Sequence, residues 1–276
     1  MPRVVRRERL VPNIHLLEVE APEIARKCLP GQFVIVMPDA HGERIPLTIA
    51  DWDRERGTVT AVFMAVGTST RKLALLKSGD SVPIFAGPLG RPSGIGRVGT
   101  VLCAGGCFGI AAIHPLARAY KAAGNRVVVL VDVKADYLLY WRDKLEAIAD
   151  ELVVSSRDGL YGGTDFVPRH VRDILGREKI DRVVTVGCTY LMSSIAEATR
   201  PSGVETTASL NPIMVDGTGM CGACRVTVDG QTKFACVDGP DFNAHLVDWT
   251  ELYARRRSYF DDEIRSLCAW EEERFP

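Results

Sequence analysis

Three residues between positions 216 and 245 have side chains that could complete a metal centre around a cysteine pair. Cys221 and Cys224 form a Cys-x2-Cys motif, and Cys236 follows on the predicted returning strand of a hairpin. Three thiolates in this arrangement suit an iron–sulfur cluster or zinc. Two residues could supply the fourth ligand. Asp216 stands where a Cys-x4-Cys-x2-Cys cluster has its first cysteine, and His245 follows Cys236 by nine residues.

The glycines around these cysteines favour a metal cluster. Gly217, Gly219 and Gly222 let the backbone fold closely around a metal centre at little steric cost. Structural zinc usually takes four nitrogen or sulfur ligands, often as two close pairs, and this segment has no second pair. A zinc site and a set of buried free cysteines remain the alternatives. The sequence predicts a [2Fe–2S] cluster.

The composition is typical of a globular protein with two or three domains. The chain has 276 residues, of which 46% are hydrophobic and 25% charged, and its net charge of −1 argues against a nucleic-acid partner. No apolar segment follows the basic N-terminus, and three glycines interrupt the apolar run 101–117, so we expect neither a signal peptide nor a membrane span. Eight cysteines, three of them clustered, indicate cytosolic metal chemistry, and we expect a cytoplasmic protein.

The elements that must position the cluster divide the chain into units of different type. Residues 1–96 contain short alternating strands separated by Gly and Pro, which predicts an antiparallel β-barrel with one helix over 70–76, capped by Ser69 or Thr70. Residues 97–209 alternate apolar strands with helices, including one over 137–149, which predicts a doubly wound α/β domain. Residues 210–243 form the cluster module. Residues 244–276 form a helical tail with a solvated charged face.

A glycine-rich turn follows the first strand of the α/β domain. Gly105, Gly106 and Gly109 precede an apolar helix, where backbone N–H groups and the helix dipole can bind a pyrophosphate. Asp132 ends the next strand, where a carboxylate would bind an adenosine ribose and would favour NAD over NADP. The spacing is an incomplete dinucleotide motif, so an ordinary tight turn is the alternative interpretation.

Three further segments carry side chains suited to nucleotide binding. Gly187 and Cys188 follow a later strand, where a small thiol could lie against a nicotinamide or could fill the sheet edge. In the barrel, one five-residue segment contains an arginine that could pair with phosphate. The same segment contains a hydroxyl that could face a ring system. A turn at a helix start offers a second phosphate cradle. The residues of these barrel segments are Arg44, Pro46, Leu47 and Thr48, then Gly67, Ser69 and Thr70.

In this order, the motifs resemble the ferredoxin–NADP reductase superfamily, whose members join a flavin-binding barrel to a nicotinamide-nucleotide domain. The cysteine module narrows the resemblance to electron-transfer subunits related to that of dihydroorotate dehydrogenase, and it covers nearly the whole chain. The flavin motif Arg-x-Tyr/Pro-Ser/Thr matches Arg44, Pro46, Leu47 and Thr48, with one extra residue after the arginine. The resemblance implies that Arg44 binds FAD phosphate and that Thr48 lies near the flavin N5.

Three other matches include departures from the family. The pyrophosphate loop Gly-x-Gly-Thr corresponds to residues 67–70, with Ser69 in place of glycine. The Cys-Gly-Pro motif at the nicotinamide corresponds to residues 187–189, with Cys188 displaced within it. Asp216 replaces the first of four cluster cysteines. An aspartate there is similar to the small subunits of electron-bifurcating NADH-dependent reduced ferredoxin:NADP oxidoreductases.

The resemblance implies an oxidoreductase subunit that moves electrons between NAD(H), FAD and a [2Fe–2S] cluster. It also implies a larger flavin and iron–sulfur partner subunit, in a heterodimer or higher assembly, and ferredoxin as an indirect partner. The alternatives are the electron-transfer subunit of dihydroorotate dehydrogenase and the diaphorase subunit of a hydrogenase or sulfur reductase. A redox-inert scaffold with a zinc-bound hairpin is an alternative of a different class.

Overall fold

Six antiparallel strands form the N-terminal unit of the computed structural model, which describes residues 1–156 and 166–274. They lie in the order β1-β2-β5-β4-β3-β6. The Val4 N–H donates to Asp80 O at 2.9 Å, and the Val82 N–H donates to Pro2 O at 3.0 Å. These bonds join β1 to the segment before β6, so the sheet closes into the predicted barrel. The strands are β1 (Arg3–Val11), β2 (Ile14–Glu20), β3 (Phe33–Met37), β4 (Ile45–Asp53), β5 (Thr58–Met64) and β6 (Ile84–Leu89).

Two helices interrupt the barrel strands, α1 (Pro22–Lys27) and α2 (Thr68–Leu75). The predicted start of the second helix is wrong by two residues. Gly67 is the N-cap, because the Thr70 hydroxyl accepts the Gly67 N–H at 3.0 Å from inside the first turn. The Thr70 side chain, at the third helical position, therefore bonds back to the backbone N–H of the N-cap residue.

Five parallel strands in the order β11-β10-β7-β8-β9 form the parallel part of the six-stranded second sheet. Its helices cover both faces: one cluster packs α3 against alternate strand residues such as Val101 and Val127, and another packs α5 and α6 against Leu102 and Val128. This confirms the doubly wound fold. The elements are β7 (Thr100–Gly106), α3 (Gly109–Ala122), β8 (Arg126–Val133), α4 (Arg142–Glu146), β9 (Glu151–Ser156), α5 (Phe166–Arg177), β10 (Arg182–Val186), α6 (Thr189–Thr199) and β11 (Glu205–Ser209).

The predicted helix over 137–149 is broken in the structure. A single 3-10 turn (Asp136–Leu138) comes first, and α4 begins only at Arg142. Trp141 between them has a φ of 57°, which is left-handed and cannot continue a helix. Its ring instead packs edge-on against His114 of α3, with centroids 5.5 Å apart. Tertiary packing of one aromatic side chain thus overrides the helical pattern.

The C-terminal elements fasten the cluster segment to both larger units. β12 (Arg225–Val228) and β13 (Gln231–Phe234) form the predicted hairpin, and β14 (Asp241–Asn243) pairs antiparallel with β11 at the edge of the parallel sheet. Helices α7 (Trp249–Arg256) and α8 (Phe260–Arg274) follow. One buried cluster contains residues from the barrel, the parallel sheet and the hairpin. Among the described helices, each is too short or too polar to cross a membrane.

Candidate functional site

Strand β4 carries the barrel motif. Arg44 immediately precedes the strand and is exposed, and it makes no hydrogen bond or ion pair with any described residue. Pro46 and Thr48 are half-buried, whereas Leu47 points into the barrel core. Thr48 is the register partner of Phe33 on β3. The strand therefore holds a free guanidinium at its start and a hydroxyl four residues further along.

The N-terminus of α2 forms the second predicted phosphate cradle. A Cβ built on Gly67 would meet no atom within 4 Å, so the space above this turn is open. The Thr70 hydroxyl is already engaged, because it accepts the Gly67 N–H and donates to the Gly67 carbonyl. Ser69 is buried beneath the turn. The groups available to an anion are the first backbone N–H groups of the helix.

The predicted nicotinamide-nucleotide residues meet at the carboxyl ends of the parallel strands. β7 and β10 are neighbours, with Gly105 in register with Val186. A Cβ on Gly109 would lie 2.1 Å from the Val186 carbonyl oxygen, so this glycine lets α3 start directly against β10. Gly187 lies against the backbone of Gly106. Strands β8 and β9 lie on one side of β7, whereas β10 and β11 lie on the other. The order in which strands join the sheet therefore reverses between β7 and β10, and doubly wound sheets bind nucleotides at such a point.

Asp132 and Cys188 both lie at the carboxyl ends of the parallel strands, where the nucleotide is predicted to bind, but they differ in exposure. Asp132 is in register with Gly106 and is only 8% exposed, and one of its oxygens accepts the Ser155 hydroxyl at 3.2 Å. Cys188 is the half-buried N-cap residue of α6. The structure thus brings Asp132 beside the glycine loop, with much of its carboxylate already enclosed.

The predicted cluster ligands lie on one loop and its hairpin. Gly217, Gly219 and Gly222 have φ values of 76°, 86° and 68°, which confirms that the loop needs glycine to fold. The two carboxylate oxygens of Asp216 accept the backbone N–H groups of Thr218 at 2.9 Å and Cys221 at 3.0 Å. These two hydrogen bonds lower the pKa of Asp216, with the larger effect from the Thr218 N–H, and they keep the carboxylate ionised.

The three thiols form a close pair and a separate third group. Cys224 and Cys236 are buried with their sulfurs 3.2 Å apart, and Cys221 is exposed. Burial, and then the neighbouring Cys224, raises the pKa of Cys236 to about 12. Among the described residues, no three His, Cys, Asp or Glu side chains converge around a single ion position. Three thiolates and a carboxylate on a glycine-bent loop nevertheless fit the ligand chemistry of an iron–sulfur cluster.

His245, the other possible fourth ligand, is held elsewhere. Its Nε2 lies 2.9 Å from the Thr199 hydroxyl at the end of α6, and burial lowers its pKa. The Arg200 guanidinium donates to the His245 carbonyl oxygen at 3.1 Å. Of the two residues considered from the sequence, Asp216 is therefore the one that the structure leaves beside the cysteines.

The cluster loop packs against the barrel through residues that the sequence did not single out. A Cβ on Gly217 would lie 2.7 Å from Leu89 of β6 and 3.0 Å from Ile35 of β3. Arg91, just after β6, donates to the Val237 carbonyl oxygen at 2.9 Å, and its own N–H donates to Gly239 O at 2.7 Å. The Gly-Pro-Leu-Gly run at 87–90 is typical of a turn, but a turn motif does not indicate which distant segment packs on it.

The C-terminal part of the chain matches a known domain. Residues 211–248 match the iron–sulfur cluster binding domain of dihydroorotate dehydrogenase B. This segment contains all four predicted ligands and their hairpin.

Comparisons over the whole chain give the same result. A dihydroorotate dehydrogenase B (NAD(+)) electron transfer subunit homolog of Thermotoga maritima is 41% identical over 94% of this chain and 92% of its own length. The electron transfer subunit of Desulforamulus reducens is 30% identical, over 87% and 94%. A solved structure of an NADH-dependent reduced ferredoxin-NADP oxidoreductase, described for flavin-based electron bifurcation, has a similar chain with a TM-score of 0.90, 40% identity and 98% coverage of both chains. The chain therefore belongs to the family of dihydroorotate dehydrogenase B electron-transfer subunits and their homologues, and it is an oxidoreductase subunit.

Proposed function

We propose that this chain carries electrons between NAD(H) and a larger flavin and iron–sulfur partner subunit, through FAD and a [2Fe–2S] cluster. One observation carries the proposal. The cluster loop packs on Ile35 of β3, and β3 is hydrogen-bonded to β4, which holds the flavin motif. A cluster on this loop would thus lie one strand away from a flavin on β4. The functional units are residues 1–96, 97–209, 210–243 and 244–276.

The barrel residues bind and orient FAD. Arg44 pairs with a phosphate oxygen, and its freedom from other partners leaves the guanidinium available. Backbone N–H groups at the start of α2, beside Gly67 and Ser69, bind the pyrophosphate, while Thr70 fixes the turn through its capping bonds. Pro46, Leu47 and Thr48 form the strand beside the ring system, with the Thr48 hydroxyl near the reacting edge.

The parallel sheet binds the nicotinamide nucleotide. Gly105, Gly106 and Gly109 allow its pyrophosphate to approach the start of α3, and Asp132 accepts a ribose hydroxyl and disfavours a 2′-phosphate. Gly187 and Cys188 would hold the nicotinamide end, because Gly187 lies against the backbone of Gly106 in the same glycine loop and Cys188 follows it. When bound, FAD accepts two electrons as a hydride and releases them singly, which suits it to join a nucleotide to a one-electron cluster.

Asp216, Cys221, Cys224 and Cys236 hold the cluster. The bifurcating type of complex is favoured by the aspartate at the first ligand position and by the likeness to the solved NADH-dependent oxidoreductase over 98% of the chain. In that setting, ferredoxin would exchange electrons with the partner subunit. A second candidate is a dihydroorotate dehydrogenase electron-transfer subunit, which is favoured by the matched cluster domain and the named relatives.

The first test is the cofactor content of anaerobically purified protein. We expect about one FAD, two iron and two acid-labile sulfide per chain, with an absorbance spectrum that is bleached by NADH. FAD without iron would leave a plain flavin reductase. Zinc without flavin would refute the proposal.

A second test separates the two candidate complexes. The purified chain is mixed with the catalytic subunit of a dihydroorotate dehydrogenase, and NAD-dependent oxidation of dihydroorotate is measured. The proposal predicts no activity above that of the catalytic subunit alone. Efficient NAD reduction in this mixture would instead establish the second candidate.

A further inference from the structure

Helix α8 lies directly on the helix that begins at the proposed flavin cradle. The Thr68 and Ser266 hydroxyl oxygens are 3.0 Å apart, and Arg71 pairs with Glu271 at 2.5 Å. Thr68 is the first residue of α2, and Arg71 lies one turn further along. Both contacts therefore fall on the end of α2 that carries the free backbone N–H groups.

The same helix reaches the other side of the cradle. Glu263, one turn before Ser266, lies close enough to Glu43 for the two carboxylates to repel each other, and Glu43 precedes Arg44. Burial, with a further contribution from Glu43, raises the pKa of Glu263, although its side chain stays exposed. The two sides of the cradle are also tied to each other, because Lys72 of α2 pairs with Asp39 at 2.9 Å. Helix α8 thus lies near both the loop that precedes β4 and the start of α2.

Helices α7 and α8 differ in how firmly they are attached. In α7, Leu252 is 1% exposed, Arg255 donates to the Arg225 and Ala223 carbonyl oxygens of the cluster hairpin, and Arg256 donates to the Thr189 hydroxyl at 2.8 Å. In α8, all fifteen residues are described and none is buried. The short segment 257–259 joins the two helices. Helix α8 is therefore an arm that extends from an anchored helix and is held mainly by polar contacts.

We propose that α8 is the outer wall of the flavin site, closing over the phosphate cradle, and that it must lift from α2 before FAD can enter or leave. The inference rests on the proposed binding of FAD to this chain. Contact between α8 and the flavin is not required, since covering the opening is enough to slow dissociation. The contacts of Ser266 and Glu271 hold the wall in place.

The test uses the full chain loaded with FAD, and it measures FAD release by the rise in flavin fluorescence after dilution. Glu271→Arg places two cations together, and Ser266→Leu forces a larger side chain into a 3.0 Å contact. Each should speed FAD release about two- to fivefold, as expected for losing an exposed ion pair or hydrogen bond. Glu273→Arg and Cys268→Leu make the same types of change at exposed positions of α8 and should leave the rate unchanged.

Amide hydrogen exchange of α8 in the same variants shows whether the helix has lifted. Faster exchange together with faster FAD release supports the proposal. A lifted α8 with FAD release at the wild-type rate would overturn it, and so would variants in which neither quantity changes, because the named contacts would then not hold the wall. The flavin content of the wild-type chain tests the proposed function separately. A wild-type chain that binds no FAD overturns both proposals.

Discussion

The Asp216 carboxylate is held by two backbone N–H groups, from Thr218 and Cys221. Each carboxylate oxygen has further lone pairs, so these bonds orient the side chain and still leave it able to bind iron. An oxygen ligand donates less electron density to iron than a thiolate, and hydrogen bonds to the ligand tune it further. We therefore expect Asp216, as a proposed ligand, to influence the cluster potential.

Replacing Asp216 with cysteine tests this role directly. Asp216→Cys should keep two iron per chain but change the midpoint potential and the EPR signal of the reduced cluster, because a thiolate replaces an oxygen ligand. Redox titration followed by EPR measures both. Thr232→Cys, which adds a thiol on the exposed strand β13, is the matched control and should change neither quantity. An unchanged potential and signal in Asp216→Cys would show that Asp216 is not a ligand.

The contact of Gly217 with the barrel couples the cluster loop to the flavin strands. Gly217→Ala should lower the free energy of unfolding more than Gly230→Ala. Both positions have positive φ and should lose about 1–2 kcal/mol through backbone strain. Only the Gly217 substitution also overpacks a neighbour, at an additional cost of about 1–3 kcal/mol, because its Cβ meets Leu89 and Ile35.

Urea denaturation and iron analysis of the two glycine variants measure the difference. Nothing lies within 4 Å of a Cβ on Gly230, so this variant isolates the strain common to both. Iron content should fall in Gly217→Ala and stay at the wild-type level in Gly230→Ala. Equal losses of stability would mean that docking of the loop on the barrel contributes little.

At the scale of elements, the sequence predicted what local chemistry determines. Strand β8 (Arg126–Val133) is one of the predicted apolar strands, since its eight residues form an almost wholly apolar run. The hairpin and the glycine-rich loop were also predicted, because Cys and Gly spacing carries their geometry. The start of α2 was missed by two residues, since the capping hydroxyl of Thr70 lies inside the helix.

Elements that depend on distant residues could not be predicted from local patterns. Trp141 breaks the expected helix because His114, twenty-seven residues earlier in the chain, offers its ring a place to pack. β14 has only three residues and exists because β11 presents a free edge to it. The position of α8 over α2 likewise depends on a contact spanning 198 residues. The sequence showed an amphipathic tail without indicating what it covers.

At the scale of the whole molecule, a buried histidine marks the contact between barrel and parallel sheet. His114 of α3 is 5% exposed, and burial lowers its pKa from 6.5 to about 4. Asp51 of β4 lies nearby and is paired with Arg118 at 2.8 Å and with Lys144 at 3.3 Å. The carboxylate favours a protonated His114, but burial and the two cations outweigh it, so the folded protein keeps this histidine neutral.

This neutral histidine predicts a loss of stability in acid. Between pH 6.5 and 4 the unfolded chain binds a proton at His114 that the folded chain excludes, so stability is complete above 6.5 and falls as the pH approaches 4. The loss amounts to about 3 kcal/mol. His114→Gln should flatten this part of the profile, as measured by urea denaturation at several pH values. The more exposed His170 provides the control, and His170→Gln should retain the wild-type slope.

Strand β14 closes one edge of the parallel sheet, through register pairs such as Ala208 with Phe242. A chain that stops at residue 209 would leave the N–H and C=O groups of β11 unpaired, and exposed edges of this kind pair with other molecules. We expect that chain to self-associate as its concentration rises, in analytical ultracentrifugation. A chain that stops at residue 248 keeps β14 and should associate less, and monomeric behaviour of both would contradict the expectation.

The same pairing sets an order for synthesis on the ribosome. The residues of β11 emerge more than thirty positions before those of β14, and the whole cluster loop lies between them. In the nascent nucleotide domain, the outer side of β11 therefore stays unpaired until the metal-binding segment and β14 have been translated. Completion of that domain and synthesis of the cluster cysteines are thus nearly simultaneous.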